Sequence, residues 1–269
     1  SKSVPASARN YQPWMSPSHP NTAEAPAFDM PLTVGENTAR IVGISREDSD
    51  AWAAMTHQRA ARAVAEGWFE SEIVPVDVVG PDGATRSFAT DEHPRADTTV
   101  EKLATLKVLH PELDSPTVTA GNSAGLNDAA AAVMVVSDEY AAAHGLTPLA
   151  RVVSWASAGV DPVRTGLGPT IAIPKALERA GLSLGDIEVF EINEAFCSVP
   201  IAASRVLGID HEILNTYGSG CSLGHPIAAT GARMVVSMTN ELRRRDATLG
   251  VVAMCAGGGM GSAVVLERL

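Results

Sequence analysis

The first thirty residues show neither helical nor strand periodicity and hold five prolines, so residues 1 to about 31 read as an irregular arm. The first clear period is helical. Across 45–66, Trp52, Met55 and Val64 fall on one apolar face, Ser45 stands as N-cap with Asp48 in the capping-box position, and Gly67 follows as a stop. Residues 73–79 alternate apolar and polar, 80–83 spell a Gly-Pro-Asp-Gly turn, and a second extended stretch runs through Phe88, which predicts a hairpin. A short helix is predicted over 98–106. Residues 119–128 form a polar, glycine-containing loop leading into the apolar stretch 129–136.

From 149 onward the pattern is regular: strand 150–156, helix 169–181, strand 186–191, helix 194–206, short strand 213–216, helix 226–245, and strands 249–255 and 262–267. Strands alternating with helices imply an α/β fold, its mostly parallel sheet covered on its faces. The last two strands, joined by glycines, read as an antiparallel hairpin.

Composition narrows the function classes. With 269 residues and 45% hydrophobic content, the chain has material for a substantial core. There is no run of about 18 apolar residues and no signal-peptide core, so a soluble, cytoplasmic protein with no membrane partner is expected. Acidic residues outnumber basic ones by 31 to 20, a formal charge of −11, which argues against a nucleic-acid partner. The three cysteines, Cys197, Cys221 and Cys255, are too few and irregular for a disulfide framework or a zinc site, so reduced thiols and no metal are expected. The chain opens with Ser1 rather than Met, and a missing upstream segment is expected.

Reactive side chains concentrate towards the C-terminus. In Gly224-His225-Pro226, proline suits the first position of a helix, which puts His225 at the positive end of a helix dipole and favours neutral imidazole. A histidine that only precedes a helix is the competing reading. Cys255 ends an apolar strand and precedes three glycines, an arrangement that lets something approach the backbone, although a buried cysteine is usually a small core residue. Asn193 stands where a strand passes into a helix, a place for ligand-facing groups and equally for an N-cap. The glycine strings lack the spacing of a dinucleotide site, which weighs against a nucleotide-binding module.

Three motifs in order carry a resemblance: Glu191-Ile192-Asn193-Glu194-Ala195-Phe196; Gly224-His225-Pro226 with Ala228-Ala229-Thr230-Gly231-Ala232-Arg233; and Cys255-Ala256-Gly257-Gly258-Gly259-Met260-Gly261. Together they strongly resemble the thiolase family. Gly35-Glu36-Asn37-Thr38-Ala39, Ile44-Ser45-Arg46-Glu47-Asp48 and the loop from Thr119 to Asp128 agree, so the likeness runs from about Leu32 to the C-terminus.

The resemblance implies a thiolase-like layered αβαβα fold with mixed, mostly parallel sheets, built from two βαβαβαββ repeats with a loop domain inserted in the first. Residues 1–116 would be the arm and loop domain, 117–146 a remnant of the first repeat and 147–269 the second. The implied activity is acyl transfer that makes or cleaves the carbon–carbon bond of a 3-ketoacyl-CoA. Coenzyme A would be co-substrate, with no resident cofactor and no metal. By motif, Cys255 would be the acid/base thiol, His225 would activate the nucleophilic thiol and donate to the thioester oxygen, Asn193 would hold a water in that oxyanion hole, and the Gly257 amide would serve a second hole. Arg95, Ser123, Ala124, Leu126 and Phe196 would contact the cofactor. A homo-oligomer, dimer or tetramer, is implied, and helix faces 194–206 and 226–245 are expected to be uncovered in a lone second repeat.

Departures accompany the likeness. No segment matches the motif of the family's nucleophilic cysteine, which lies in the first repeat, so on the order of a hundred residues are expected to be absent and the chain is not expected to acylate itself. Ala124 stands where many members have serine, and Tyr217 and Ser219 replace the usual Asn and Gly. Cys221, four residues before His225, is read as packing. The alternative to an enzyme is a non-catalytic thiolase-like subunit that binds acyl-CoA or a partner chain.

Overall fold

The computed structural model describes residues 19–27 and 31–269. Most of the arm expected over 1–31 therefore lies outside the described residues. Helix α1 (Pro31–Val42) leads into α2 (Arg46–Ala65), where Ser45 Oγ accepts from the Asp48 amide and the Asp48 carboxylate accepts from the Ser45 amide. The capping box satisfies two of the amides that every helix start leaves unpaired. Strands β1 (Val76–Val79) and β2 (Thr85–Phe88) form the expected antiparallel hairpin, and α3 (Val100–Ala104) is the short helix, capped by Thr99. Helix α4 (Asp138–Ala143) follows the apolar stretch 129–136, which is neither helix nor strand.

The remaining elements surround one sheet. Strand β3 (Ala150–Gly159) is followed by a 3₁₀ turn at Pro162–Leu167, α5 (Gly168–Ala180), β4 (Val189–Ile192), α6 (Ser198–Leu207), α7 (Gly220–Leu223), α8 (Thr230–Arg245), β5 (Leu249–Ala256) and β6 (Met260–Arg268). The strand order is β3-β6-β5-β4. Period-2 alternation sorts the side chains to two cores. Phe190, Ile192, Val251, Ala253, Ala263 and Val265 join one cluster with Ile173 and Leu177 of α5 and Val199 and Ala202 of α6; Val189, Val252 and Leu266 face Met234, Met238 and Leu242 of α8. Each fully buried aliphatic side chain contributes about 1.5–3 kcal/mol, so helices on both faces hold the sheet.

The α/β class and the layered arrangement agree with expectation, but the balance of this sheet differs. Only β4 and β5 run parallel; β6 pairs antiparallel with both β5 and β3. The hairpin return from β5 inserts β6 between β5 and β3, so β3 never meets a parallel neighbour. Helix starts also shift. The helix expected from 194 begins at Ser198 and the one expected from 226 begins at Thr230. The stretch expected as strand 213–216 makes only single bridges at Leu214 and Thr216. The faces expected to be uncovered are covered: residues 198–204 of α6 are all buried, and Met234, Met238 and Leu242 pack on the sheet. Exposed apolar side chains lie elsewhere, at Met134 and Val135 (77% each) and on the edge strand β3 at Trp155 (65%).

Candidate active site

The carboxyl ends of β4 and β5 adjoin. Asn193 follows the last residue of β4, and its amide donates to Ala253 O at 2.9 Å, so it sits beside the end of β5 that carries Cys255. Such strand ends are where open parallel pairs present ligand-facing groups. Cys255 is half-buried and pairs with Gly261 across the closing turn. Burial, opposed by a backbone hydrogen bond, pushes its thiol up to about 11. In that turn Gly257 is exposed, leaving its backbone open to a ligand. Gly258 and Gly259 adopt φ of 92° and 82°, which a side chain would resist. The turn is tied down, because the Gly259 amide donates to Thr165 Oγ1 at 3.1 Å and its carbonyl accepts from Val160.

His225 is held from three sides. Its amide donates to Asn127 Oδ1 at 3.1 Å, its Nδ1 lies 2.8 Å from Thr230 Oγ1, and Asn193 Nδ2 lies 3.3–3.4 Å from the two ring nitrogens. The Thr230 hydroxyl donates to Pro226 O at 2.9 Å. Its one proton is thus committed, so Nδ1–H donates to Thr230 and Nε2 is the unprotonated ring nitrogen, 3.4 Å from the Asn193 Nδ2 donor. Burial, with the Arg233 cation adding to it, lowers the pKa of His225. Neutral imidazole was expected from a helix dipole; burial and Arg233 both act in the same direction. Residues 226–229 form a separate turn closed by Ala229 and Thr230 amides on Pro226 O, so the helix begins five residues after the histidine, with the ring against its first residue, Thr230.

Asn193 is no helix cap, since α6 starts five residues on. It is fully buried, and its Oδ1 meets no protein donor among the described residues. A Cβ at Gly220 would sit 2.5 Å from that oxygen, so glycine keeps the approach clear.

The residues expected to meet the cofactor divide. Ser123 bridges Phe196, the Ala124 amide donates to Ala195 O at 3.0 Å, and the Cys197 amide donates to Asn122 O at 3.0 Å, which lays loop 121–125 along the start of α6. Leu126 projects from that loop, 98% exposed. Phe196 is half-buried, its ring against Gly35. Arg95 is exposed and joins the loop indirectly: its amide donates to His57 Nδ1, the His57 ring lies 6.2 Å from that of His93, and His93 Nε2 donates to Cys221 O at 3.0 Å beside Gly125. Cys221 is buried, its thiol near Gly121 O and Ser123 O, as packing requires.

Two buried carboxylates support this site and were not singled out from sequence. Glu194 accepts from Trp52 Nε1, Thr56 Oγ1, Asn215 Nδ2 and the Cys221 amide, and burial outweighs these donors to raise its pKa. Glu191 is fully buried, ion-paired with Arg233, and accepts from Tyr217 Oη and Ser219 Oγ. Tyr217 and Ser219, noted as departures from the family pattern, thus act on one carboxylate. A charged residue inside an apolar strand was the available signal for Glu191. Asn127 and Thr230 stood inside recognised motifs, but only the fold shows that they hold His225.

Comparison with known proteins follows the same lines. The model of the thiolase N-terminal domain matches residues 27–139 and that of the thiolase C-terminal domain residues 146–268. The chain is 47% identical over 243 residues to the acetyl-CoA acetyltransferase of Escherichia coli K12, covering 90% of this chain and 60% of that protein. It is 46% identical over 260 residues to the 3-ketoacyl-CoA thiolase of Bacillus subtilis 168, covering 92% and 66%. The acetyl-CoA acetyltransferase structure from Bacillus anthracis superposes with a TM-score of 0.85 at 44% identity, over 88% of this chain and 60% of that one. Human mitochondrial 3-ketoacyl-CoA thiolase in complex with CoA gives 0.81 at 36% identity, over 91% and 59%. The chain therefore spans 59–66% of the length of these relatives.

Proposed function

This chain belongs to the thiolase family, and on that premise we propose that it carries the acid/base half of a thiolase reaction, the making or cleaving of the carbon–carbon bond of a 3-ketoacyl-CoA. The observation that carries the reading is the position of Asn193, which touches His225 and lies across the ladder from the strand end bearing Cys255. In condensation Cys255, as thiolate, takes a proton from the α-carbon of acetyl-CoA; in cleavage the thiol returns it to the departing enolate. A thiol whose pKa stands at about 11 rests as the acid and, once ionised, is a strong base, which suits a weakly acidic C–H. His225, neutral with Nε2 unprotonated, takes the proton of a nucleophilic thiol and, once protonated, donates to the thioester oxygen. A water on Asn193 shares that oxygen, and the Gly257 amide serves the acyl intermediate. Ser123, Ala124, Phe196, Leu126 and Arg95 are proposed to contact coenzyme A, which is a co-substrate rather than a resident cofactor.

The test needs no nucleophile. Acetyl-CoA incubated with this chain in D₂O is expected to exchange its methyl protons faster than in buffer, and Cys255→Ser is expected to abolish the gain, as read by proton NMR. A second reading is a non-catalytic thiolase-like subunit that binds acyl-CoA or a partner chain; binding of acetyl-CoA without exchange would select it. We also propose a homo-oligomer, dimer or tetramer, which would shelter the exposed apolar side chains of β3 and 133–135, with light scattering of the purified chain as the check. Among the described residues no helix is long and apolar enough to cross a membrane.

A further inference from the structure

Two clefts, of ≈ 470 and ≈ 500 Å³, flank the C-terminal end of α8, and neither is lined by His225, Asn193 or Cys255. The second is walled by Arg59 and Arg62 from α2, Arg245 from the end of α8, and Thr216 and Glu212. Arg59 is fixed in place, its guanidinium donating to Leu214 O at 2.6 Å and His211 O at 2.9 Å. Arg62 is exposed and stacks at 5.2 Å on Trp68, whose ring Arg244 also covers at 3.6 Å. Among the described residues no carboxylate lies within ion-pair distance of Arg59 or Arg62. The carboxylate nearest Arg245 is Glu241 at 3.7 Å, already held by Arg244 at 2.7 Å.

Three guanidinium groups thus meet in one cleft whose lining holds one carboxylate, Glu212, with Glu194 also acting on Arg59 and Glu241 3.7 Å from Arg245, in a chain of net charge −11. A last-turn arginine is ordinarily explained by its own helix dipole. That accounts for Arg62 on α2 and Arg245 on α8 separately, but not for their convergence with Arg59, which stands a turn earlier. Mutual repulsion between cations is relieved when an anion settles among them, and paired guanidinium forks match the oxygens of phosphate or carboxylate. We infer that this cleft binds a compact oxyanion through Arg62 and Arg245, with Arg59 as the fixed cation behind them and Glu212 as the group that limits affinity. The chemistry is shared by phosphate-type and polycarboxylate ligands, and either is distinct from the thioester chemistry proposed for the His225 site.

The test is titration of the 269-residue chain with inorganic pyrophosphate and, separately, with citrate at constant ionic strength, followed by Trp68 fluorescence and calorimetry. Saturable binding of one probe is expected, and the tighter of the two identifies the ligand class. Arg62→Gln is expected to weaken binding about tenfold, the scale of one charge-assisted hydrogen bond. Glu212→Gln is expected to tighten it severalfold, a gain that misfolding cannot imitate. No saturable binding of either probe, an unchanged affinity in Arg62→Gln, or weaker binding in Glu212→Gln overturns the inference.

Discussion

Replacing Arg233 with methionine isolates the buried carboxylate beneath the site. Glu191 has no exposure, while the Arg233 side chain is 21% exposed. Removing one member of a buried pair costs about 3–5 kcal/mol, because the remaining charge is left without its partner. Here the Tyr217 and Ser219 hydroxyls still donate to Glu191, each worth about 1 kcal/mol net, and the partial exposure of Arg233 reduces the loss further. The expected destabilisation is therefore near the lower bound, about 3 kcal/mol, or roughly 6–12 °C in melting temperature for a chain of this size. Urea unfolding followed by circular dichroism measures the first figure and calorimetry the second. Because Arg233 also disfavours protonation of His225, the imidazole is expected to titrate at higher pH in the variant, as read by NMR. The double variant Arg233→Met/Glu191→Gln, which removes both charges, is expected to recover part of the loss. A cost under about 1 kcal/mol, or a double variant whose losses simply add, would refute the argument.

Three further outcomes follow from other parts of the molecule. His57, buried with Nδ1 accepting from the Arg95 amide, has its pKa lowered to about 4 by burial first and by His93 and Arg95 second; its contribution, about 3 kcal/mol, is present in full above the unfolded value of 6.5 and is lost as pH falls towards 4. Comparing urea stability of the wild type with His57→Gln at pH 7 and pH 4 checks this, and an equal difference at both would contradict it. Cys255, at about 11, is expected to react with iodoacetamide at pH 7 at least tenfold more slowly than an unperturbed thiol and to accelerate above pH 9; rapid labelling at neutral pH would show the thiol to be activated instead. Thr230→Val removes the acceptor at His225 Nδ1, so ¹⁵N NMR is expected to show the ring moving towards a mixture of tautomers, and an unchanged tautomer would mean that Thr230 does not orient the ring.

Local signals were legible where the physics is local. The capping box of α2 and the β1–β2 turn depend on residues within a few positions of one another, and each appears as expected. Element starts were less legible: the Pro226 carbonyl accepts from both Ala229 and Thr230, making a turn that the Pro-at-N1 rule does not distinguish from a first helical turn. Strand direction was not legible either, because β3 meets β6 through pairs such as Ala150 with Arg268, far apart in the chain.

For the site, motif order identified His225, Cys255, Asn193 and Gly257 as the residues to place, and side-chain chemistry stated what each could do. The residues that hold them were decided by tertiary structure. Asn127 reaches His225 across 98 positions, and Glu194 gathers Trp52, Thr56 and Asn215 from elements with no spacing in common. A chain's own order determines which groups it carries and which faces are apolar. The protonation of a buried imidazole or thiol depends on the charges and dipoles that folding brings within a few ångströms, and those come from segments that no local pattern links.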